Sequence, residues 1–230
     1  MPTSITNILP RGLIVSCQAL SDEPLHSPYI MAKMALAAKQ GGAIAIRANS
    51  AIDIATIKKE VDLPIIGIVK RDYPDSQVFI TATMNEINEL ASSGCEIIAL
   101  DATARQRPNK QTLAQFVHQI RCQFPELFLM ADCATFDEGI YAHELGFDLI
   151  ATTLSGYTKD TRNTPLPNIK LVQKLSSALT TPVISEGGIS TPIEANRAYQ
   201  SGAYAIVVGS AITRPQLITQ SFAQSLIVNP

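Results

Sequence analysis

Eight short apolar runs recur along the chain and predict eight β-strands. Aliphatic and β-branched residues fill each run without the alternation of a half-buried strand, which is typical of parallel strands covered on both faces. The spacing of the runs matches the size of a βαβ unit. The runs are 13–17, 43–47, 65–70, 97–101, 127–132, 149–153, 183–186 and 205–208.

The segments between these runs predict helices, because they carry start signals, apolar stripes and stop signals. Three Thr-x-x-Glu capping boxes mark helix starts at Thr83, Thr135 and Thr191. Apolar residues at i, i+3, i+4 and i+7 predict a helix over 109–123. Helix ends are expected at three glycines, Gly94, Gly146 and Gly202.

Eight strand–helix units predict one α/β domain over residues 1–230. A closed (β/α)8 TIM barrel and a doubly wound open sheet produce the same local pattern. The polar residues favour the barrel, because seven strands end at or beside a polar side chain and a barrel gathers those ends on one face. These residues are Gln18, Arg47, Lys70, Asp101, Asp132, Thr153 and Glu186.

Composition and charge point to a small-molecule partner. Hydrophobic residues make up 46% of the chain and the formal net charge is −2. The chain therefore has no excess positive charge that would attract nucleic acid or an acidic membrane. No apolar run is long enough to span a membrane, and residues 1–11 lack the plan of a signal peptide. We therefore expect a cytoplasmic protein.

Neither the cysteines nor the histidines indicate a metal centre. The four cysteines are scattered without a CxxC pair, and two of the three histidines fall in predicted helices. We expect no metal site and expect the cysteines to be buried free thiols.

Lys70 is the first candidate for chemistry, because an apolar strand delivers its ammonium group to the mouth of the core. Desolvation and a neighbouring cation such as Arg47 would disfavour the charged form, which would make Lys70 a general base or a Schiff-base nucleophile. An isolated strand-end lysine is more often simply solvated. The other polar strand ends favour the functional interpretation here.

Glu186 is the second candidate, since it ends a strand directly before Gly187 and Gly188. It could act as an acid, a base or an anchor for a hydroxyl group. A helix-capping carboxylate explains this short motif equally well.

Two glycine-containing loops predict a phosphate site. Gly187-Gly188 follows the seventh strand, Gly209-Ser210 follows the eighth, and Arg214 lies just beyond. Barrels often bind phosphate through backbone N–H groups of these two loops. Either pair alone could be an ordinary turn, but together they favour phosphate binding.

The chain resembles the N-acylglucosamine-6-phosphate 2-epimerases, also called N-acetylmannosamine-6-phosphate 2-epimerases, of bacterial sialic acid breakdown. Matching segments follow one another over nearly the whole chain, and together they are highly specific. They are LIVSCQA at 13–19, GIVKRDY at 67–73, ALDAT at 99–103, MAD at 130–132, TTLSGYT at 152–158, SEG at 185–187 and VGSAITRP at 208–215.

The resemblance implies a TIM barrel, commonly dimeric, that interconverts N-acetylmannosamine 6-phosphate and N-acetylglucosamine 6-phosphate without an organic cofactor. It places Lys70 and Glu186 as the catalytic pair. It implies that substrate binding involves Gln18, Arg47, Asp132, Thr153 and Tyr157, and that Gly187, Gly188, Gly209, Ser210 and Arg214 hold the phosphate. Gly188 departs from the family pattern, which more often has a larger residue there.

Two other functions remain open from the residues. A lysine at a barrel strand end can form a Schiff base, so a lysine-dependent aldolase or lyase acting on a phosphorylated sugar is one alternative. A barrel that binds a phosphorylated sugar without turning it over is the other.

Overall fold

The computed structural model describes residues 4–226, and its eight strands form a closed parallel barrel in the order β1 to β8. This confirms the barrel over the open sheet. The predicted single domain has its two ends, residues 1–3 and 227–230, outside the described residues. The strands are β1 Gly12–Cys17, β2 Ala45–Asn49, β3 Ile65–Ile68, β4 Ile97–Asp101, β5 Phe128–Asp132, β6 Leu149–Ala151, β7 Val183–Glu186 and β8 Ala205–Val208.

Helices surround the barrel and connect its strands. They are α1 Ile5–Ile8, α2 Pro28–Gln40, α3 Ala51–Ile57, α4 Met84–Ser93, α5 Leu113–Gln123, α6 Phe136–Glu144, α7 Ile169–Ala178, α8 Pro192–Gln200, α9 Ser210–Thr213 and α10 Pro215–Ser225. The three predicted capping boxes begin α4, α6 and α8. None of the helices within residues 4–226 is long and apolar enough to cross a membrane.

Each strand buries both faces, as its unbroken apolar run predicts. One face packs against the helices, and the other fills the barrel interior with aliphatic side chains. The interior residues include Ile14, Ala45, Ile66, Ile97, Met130, Leu149, Ile184 and Ala205. Residues two and four positions further along these strands share the same face, so the interior stripe leads directly to the polar strand ends.

The predicted element bounds need four corrections. β2 runs to Asn49, so Arg47 lies inside the strand rather than at its end. β3 ends at Ile68, two residues before Lys70, and β6 ends at Ala151, two residues before Thr153. The helix predicted over 109–123 begins at Leu113, because a short 3₁₀ turn with a left-handed Asn109 precedes the capping residue Thr112.

The prediction for the cysteines is wrong at one position. Cys17, Cys95 and Cys133 are buried free thiols, but Cys122 is exposed.

Candidate active site

A cleft of about 580 Å³ opens at the carboxyl ends of the strands. This volume lies within the range of small-molecule sites. The cleft brings together eleven of the twelve residues proposed from the sequence, drawn from six of the strands and the segments that follow them. They are Gln18, Arg47, Lys70, Thr153, Tyr157, Glu186, Gly187, Gly188, Gly209, Ser210 and Arg214.

Arg47 is a buried cation held by two carboxylates. Its Nη1 donates to Asp132 Oδ1 at 3.0 Å and to Glu186 Oε2 at 2.9 Å, and its Nη2 donates to Asp132 Oδ2 at 2.6 Å. Burial alone would lower the pKa of Arg47, but the charges of Asp132 and Glu186 outweigh it and the net shift is upward. Arg47 is therefore a fixed positive charge in the floor of the cleft.

Asp132 is the one proposed residue that does not line the cleft. Its carboxylate is fully buried, where it forms a bidentate pair with Arg47 and also accepts a hydrogen bond from Thr153 Oγ1 at 2.6 Å. A bidentate carboxylate fixes the plane of the guanidinium. Asp132 thus orients Arg47 and Thr153 from below.

Lys70 follows β3, and two other elements hold its backbone. Its N–H donates to Asn49 Oδ1 at 2.9 Å, and Lys70 forms an antiparallel bridge with Ile80. Burial, and then the positive charges of Arg47 and Arg214, lower the pKa of Lys70 to about 8. About one molecule in ten therefore carries a neutral Lys70 at pH 7, which makes the amine a competent base.

Glu186 ends β7 beside Arg47. Its Oε2 accepts hydrogen bonds from Arg47 Nη1 at 2.9 Å and from Thr153 Oγ1 at 3.1 Å, whereas its Oε1 accepts none from residues 4–226. Burial raises the pKa of Glu186 to about 6, against the opposing charge of Arg47. A carboxyl group with this pKa can hold or release a proton near neutral pH.

The two glycine loops and Arg214 form the other part of the cleft. Gly187 and Gly188 both have positive φ angles, 109° and 70°, which turn the chain sharply after β7. Arg214 Nη1 donates to Ser210 Oγ at 3.2 Å, and its Nε and Nη2 bind both carboxylate oxygens of Glu23. Backbone N–H groups at such turns and an arginine are suited to an anion.

Asp101 does not join this cleft, contrary to the expected convergence of seven strand ends. Its carboxylate accepts hydrogen bonds from the backbone and hydroxyl of Thr103, and it pairs with Arg105. Residues of the loop after β4 therefore take up the hydrogen-bonding capacity of the Asp101 carboxylate. Its role is structural at this position.

Sequence analysis missed several residues that contact the site. Glu23 pairs with Arg214, Asn49 fixes the backbone of Lys70, and Ser16 accepts a hydrogen bond from Gln18 Nε2 at 2.8 Å. These contacts join residues of different loops or ordinary polar positions, so no local motif marks them. Within residues 4–226, no group of three or more His, Cys, Asp or Glu side chains is placed to hold a metal ion.

The fold and the cleft define a (β/α)8-barrel enzyme whose site combines a lysine of lowered pKa with a buried arginine and two carboxylates. Residues 31–227 match a family described as "Putative N-acetylmannosamine-6-phosphate epimerase". The chain belongs to this family, and it is an epimerase, a class of isomerase.

Relatives of known sequence and structure agree with this assignment. The protein of Enterobacter sp. (strain 638) described as "Putative N-acetylmannosamine-6-phosphate 2-epimerase" is 56% identical over 97% of this chain and 96% of its own length. That of Caldanaerobacter subterraneus subsp. tengcongensis is 50% identical over 96% and 94%. The solved structure of the N-acetylmannosamine-6-phosphate 2-epimerase from Clostridium perfringens superposes with a TM-score of 0.92, at 50% identity and 97% coverage of both chains.

Proposed function

We propose that this protein interconverts N-acetylmannosamine 6-phosphate and N-acetylglucosamine 6-phosphate by removing and returning the proton at C2. The observation that carries the proposal is Lys70, an amine of lowered pKa beside the buried charge of Arg47, in a chain of the epimerase family. The reaction belongs to the breakdown of sialic acid and other amino sugars.

The chemistry needs an aldehyde, because C2 of the closed sugar ring is not acidic. Once the ring opens, neutral Lys70 removes the C2 proton and leaves an enolate. Arg47 stabilises the negative oxygen, and its charge is already fixed by Asp132 before the substrate binds. Preorganised charge of this kind is often the largest contribution to catalysis.

Glu186 is the second proton-transfer group in this proposal. Arg47 and Thr153 hold its Oε2, while Oε1 is left without a partner among residues 4–226 and is available to the substrate. A pKa near 6 allows the carboxyl group to deliver a proton to the face of C2 opposite Lys70. These proton transfers at a carbon beside a carbonyl group require no organic cofactor.

The remaining residues of the cleft bind the substrate. Gln18, Thr153 and Tyr157 contact the sugar in this proposal, and Asp132 acts through Arg47. The phosphate lies against the Gly187-Gly188 and Gly209-Ser210 loops and Arg214, since the turns offer backbone N–H donors and Arg214 offers a positive charge.

Proton NMR in D2O tests the reaction. The purified protein is incubated with N-acetylmannosamine 6-phosphate and EDTA, without added cofactor, and we expect N-acetylglucosamine 6-phosphate with deuterium at C2. Lys70→Ala should abolish turnover while substrate binding is largely kept. Unchanged substrate under conditions in which a known epimerase works would contradict the proposal.

Two outcomes would favour the other functions. Covalent trapping of Lys70 by borohydride in the presence of substrate would indicate a Schiff-base aldolase or lyase. Binding of the phosphorylated sugar without turnover would indicate a sensor.

We also propose that the protein is a homodimer in the cytoplasm and does not bind nucleic acid. α10 has no fully buried side chain, and Leu217 and Phe222 on it, which also line the mouth of the cleft, and Leu226 directly after it are exposed by 43%, 72% and 79%. An uncovered apolar surface of this kind favours association. A phosphorylated sugar is charged and does not cross membranes, which supports a cytoplasmic site of action. Light scattering should give twice the chain mass.

A further inference from the structure

Glu23 lies at the edge of the cleft, in the loop between β1 and α2, and holds Arg214 through both carboxylate oxygens. Arg214 Nε lies 2.8 Å from Glu23 Oε1, and Arg214 Nη2 lies 3.0 Å from Glu23 Oε2. The exposed fractions of the two side chains are 25% for Arg214 and 17% for Glu23. The pair is therefore partly withdrawn from solvent.

Glu23 is itself held in place from two sides. Its Oε2 accepts a hydrogen bond from the backbone N–H of Leu20 at 2.8 Å, and its Oε1 accepts one from Gln216 Nε2 at 3.0 Å. Leu20 follows Gln18 in the loop after β1, whereas Gln216 lies in the first turn of α10. One carboxylate thus joins the loop that carries Gln18 to the segment that carries Arg214.

This arrangement leaves the other edge of the Arg214 guanidinium for a ligand. A guanidinium has five N–H donors, and Glu23 takes the two on its Nε–Nη2 edge. Ser210 Oγ accepts one from Nη1 at 3.2 Å, which leaves one donor on Nη1 and one on Nη2. These two donors remain available to the oxygens of a phosphate group.

We propose that Glu23 is a positioning residue for substrate phosphate: it holds Arg214 so that the free edge of the guanidinium receives the phosphate group. This inference rests on the proposed function, because it takes Arg214 as the residue that binds the phosphate. Glu23 does not touch the reacting carbon and acts only through Arg214.

Two opposing effects of Glu23 decide the sign of the expected result. Its negative charge weakens the attraction of Arg214 for a phosphate, but partial exposure of the pair screens that effect. Its hydrogen bonds fix a long side chain that otherwise loses much rotamer freedom on binding. We expect orientation to outweigh charge, so that removal of Glu23 weakens phosphate binding.

Steady-state kinetics of Glu23→Ala test the proposal, with Glu23→Gln as a second variant if the first unfolds. We expect KM for N-acetylmannosamine 6-phosphate to rise about tenfold, with kcat changed by less than about twofold. The double variant Glu23→Ala/Arg214→Ala should have the KM of Arg214→Ala alone, because Glu23 acts only through Arg214. Turnover of unphosphorylated N-acetylmannosamine should be the same as in the wild type.

Calorimetry with inorganic phosphate gives a reading that does not depend on turnover, and Glu23→Ala should bind it about tenfold more weakly. Glu60→Ala is the matched control, because Glu60 pairs with Lys33 away from the cleft. This variant should leave both KM and the affinity for inorganic phosphate unchanged.

Each contrary result has a distinct meaning. A KM for Glu23→Ala equal to or below that of the wild type would overturn the proposal, as would effects of the two single variants that simply add. An equal loss on the phosphorylated and unphosphorylated sugars would reduce Glu23 to a structural residue. If Arg214→Ala itself left phosphate binding unchanged, the assignment of the phosphate site would fail together with this inference.

Discussion

Burial rather than a single neighbouring cation is the main reason why Lys70 can act as a base. Arg47 lies close enough to lower the pKa of Lys70, but Asp132 and Glu186 on the same guanidinium raise it again. Arg214 lowers the pKa as well, but the loss of water around the amine is the largest single cause of the shift.

The activity of the enzyme should depend on pH through both Lys70 and Glu186. Since burial lowers the pKa of Lys70 to about 8, the fraction of neutral amine increases between pH 6.5 and 9. Proton delivery also needs protonated Glu186, whose pKa is about 6, so we expect kcat/KM, which reports the free enzyme, to be level from about pH 6 to 8 and to fall above pH 8. Initial rates at low substrate concentration, followed by NMR, measure this profile.

A matched surface lysine serves as the control for this profile. Lys33 pairs with Glu60, and that hydrogen bond raises its pKa. Lys33→Ala should therefore leave the profile unchanged. A wild-type kcat/KM that keeps rising from pH 8 to 9 would contradict this pairing of neutral Lys70 with protonated Glu186.

At the scale of elements, the loop between β7 and α8 depends on a contact with the loop between β6 and α7. Gly188 has a φ of 70°, and a Cβ atom there would lie 2.4 Å from Leu166 Cβ. Leu166 also packs against Gly156. The close approach of Leu166 thus explains why this chain has glycine at position 188.

Gly188→Ala should therefore weaken substrate binding. The added methyl group must displace one of the two loops, and it also strains a left-handed backbone by about 1 kcal/mol. Because the Gly187-Gly188 turn belongs to the proposed phosphate site, we expect KM for the phosphorylated sugar to rise several-fold, together with a lower Tm. Kinetics and thermal unfolding measure the two effects.

Gly42→Ala separates strain from displacement of the loop. Gly42 also has a positive φ, 95°, but a Cβ there meets no atom within 4 Å and the residue lies outside the cleft. This variant should lose a similar amount of stability to backbone strain and keep the wild-type KM. Equal KM values in Gly188→Ala and Gly42→Ala would contradict the role given to the contact with Leu166.

Local signals predicted most elements of this fold, and contacts between distant residues account for the errors. The capping boxes of α4, α6 and α8 are set by residues three apart, so the sequence reveals them. The sequence predicts that β2 ends at Arg47, two residues too early, because a charged side chain inside a buried strand is costly without a partner. The partners of Arg47 are Asp132 and Glu186, which lie 85 and 139 residues away.

The same limit applies to the site. Gln18, Lys70 and Glu186 could be predicted because each follows an apolar strand, and a barrel brings such positions to one face. Glu23 could not be predicted, since its partner Arg214 is 191 residues away and neither residue stands in a motif that indicates the other. Asp101 was misplaced because the fold of the following loop, not the strand, decides where its carboxylate binds.

At the scale of the whole molecule, closure of the barrel buries Lys70 at a cost in stability. The protonated amine is less favourable in the folded protein than in the unfolded chain, since burial lowers its pKa from 10.5 to about 8. At about 1.4 kcal/mol per pKa unit, this difference corresponds to a penalty of about 3.5 kcal/mol at most. Sites that hold reactive groups often destabilise the fold in this way.

Lys70→Met should therefore yield an inactive protein that is more stable than the wild type at pH 7. Below pH 8 Lys70 is protonated in both the folded and the unfolded protein, and the folded state bears the full penalty. The unfolding free energy of the variant therefore exceeds that of the wild type by the largest amount in this range. Between pH 8 and 10.5 the folded protein loses the proton first, and the unfolding free energy of the wild type rises towards that of the variant. Urea unfolding of both proteins at pH 7, 8.5 and 10 measures the difference.

Lys33→Met is the control for this pH dependence, because Lys33 is exposed and Glu60 favours its charged form. Its effect on unfolding should not shrink between pH 8 and 10 as that of Lys70→Met does. If the stability difference between Lys70→Met and the wild type did not shrink between pH 8 and 10, folding would not lower the pKa of Lys70. Neutral Lys70 would then be too rare for it to act as the base, so this measurement of stability also tests the catalytic role of Lys70.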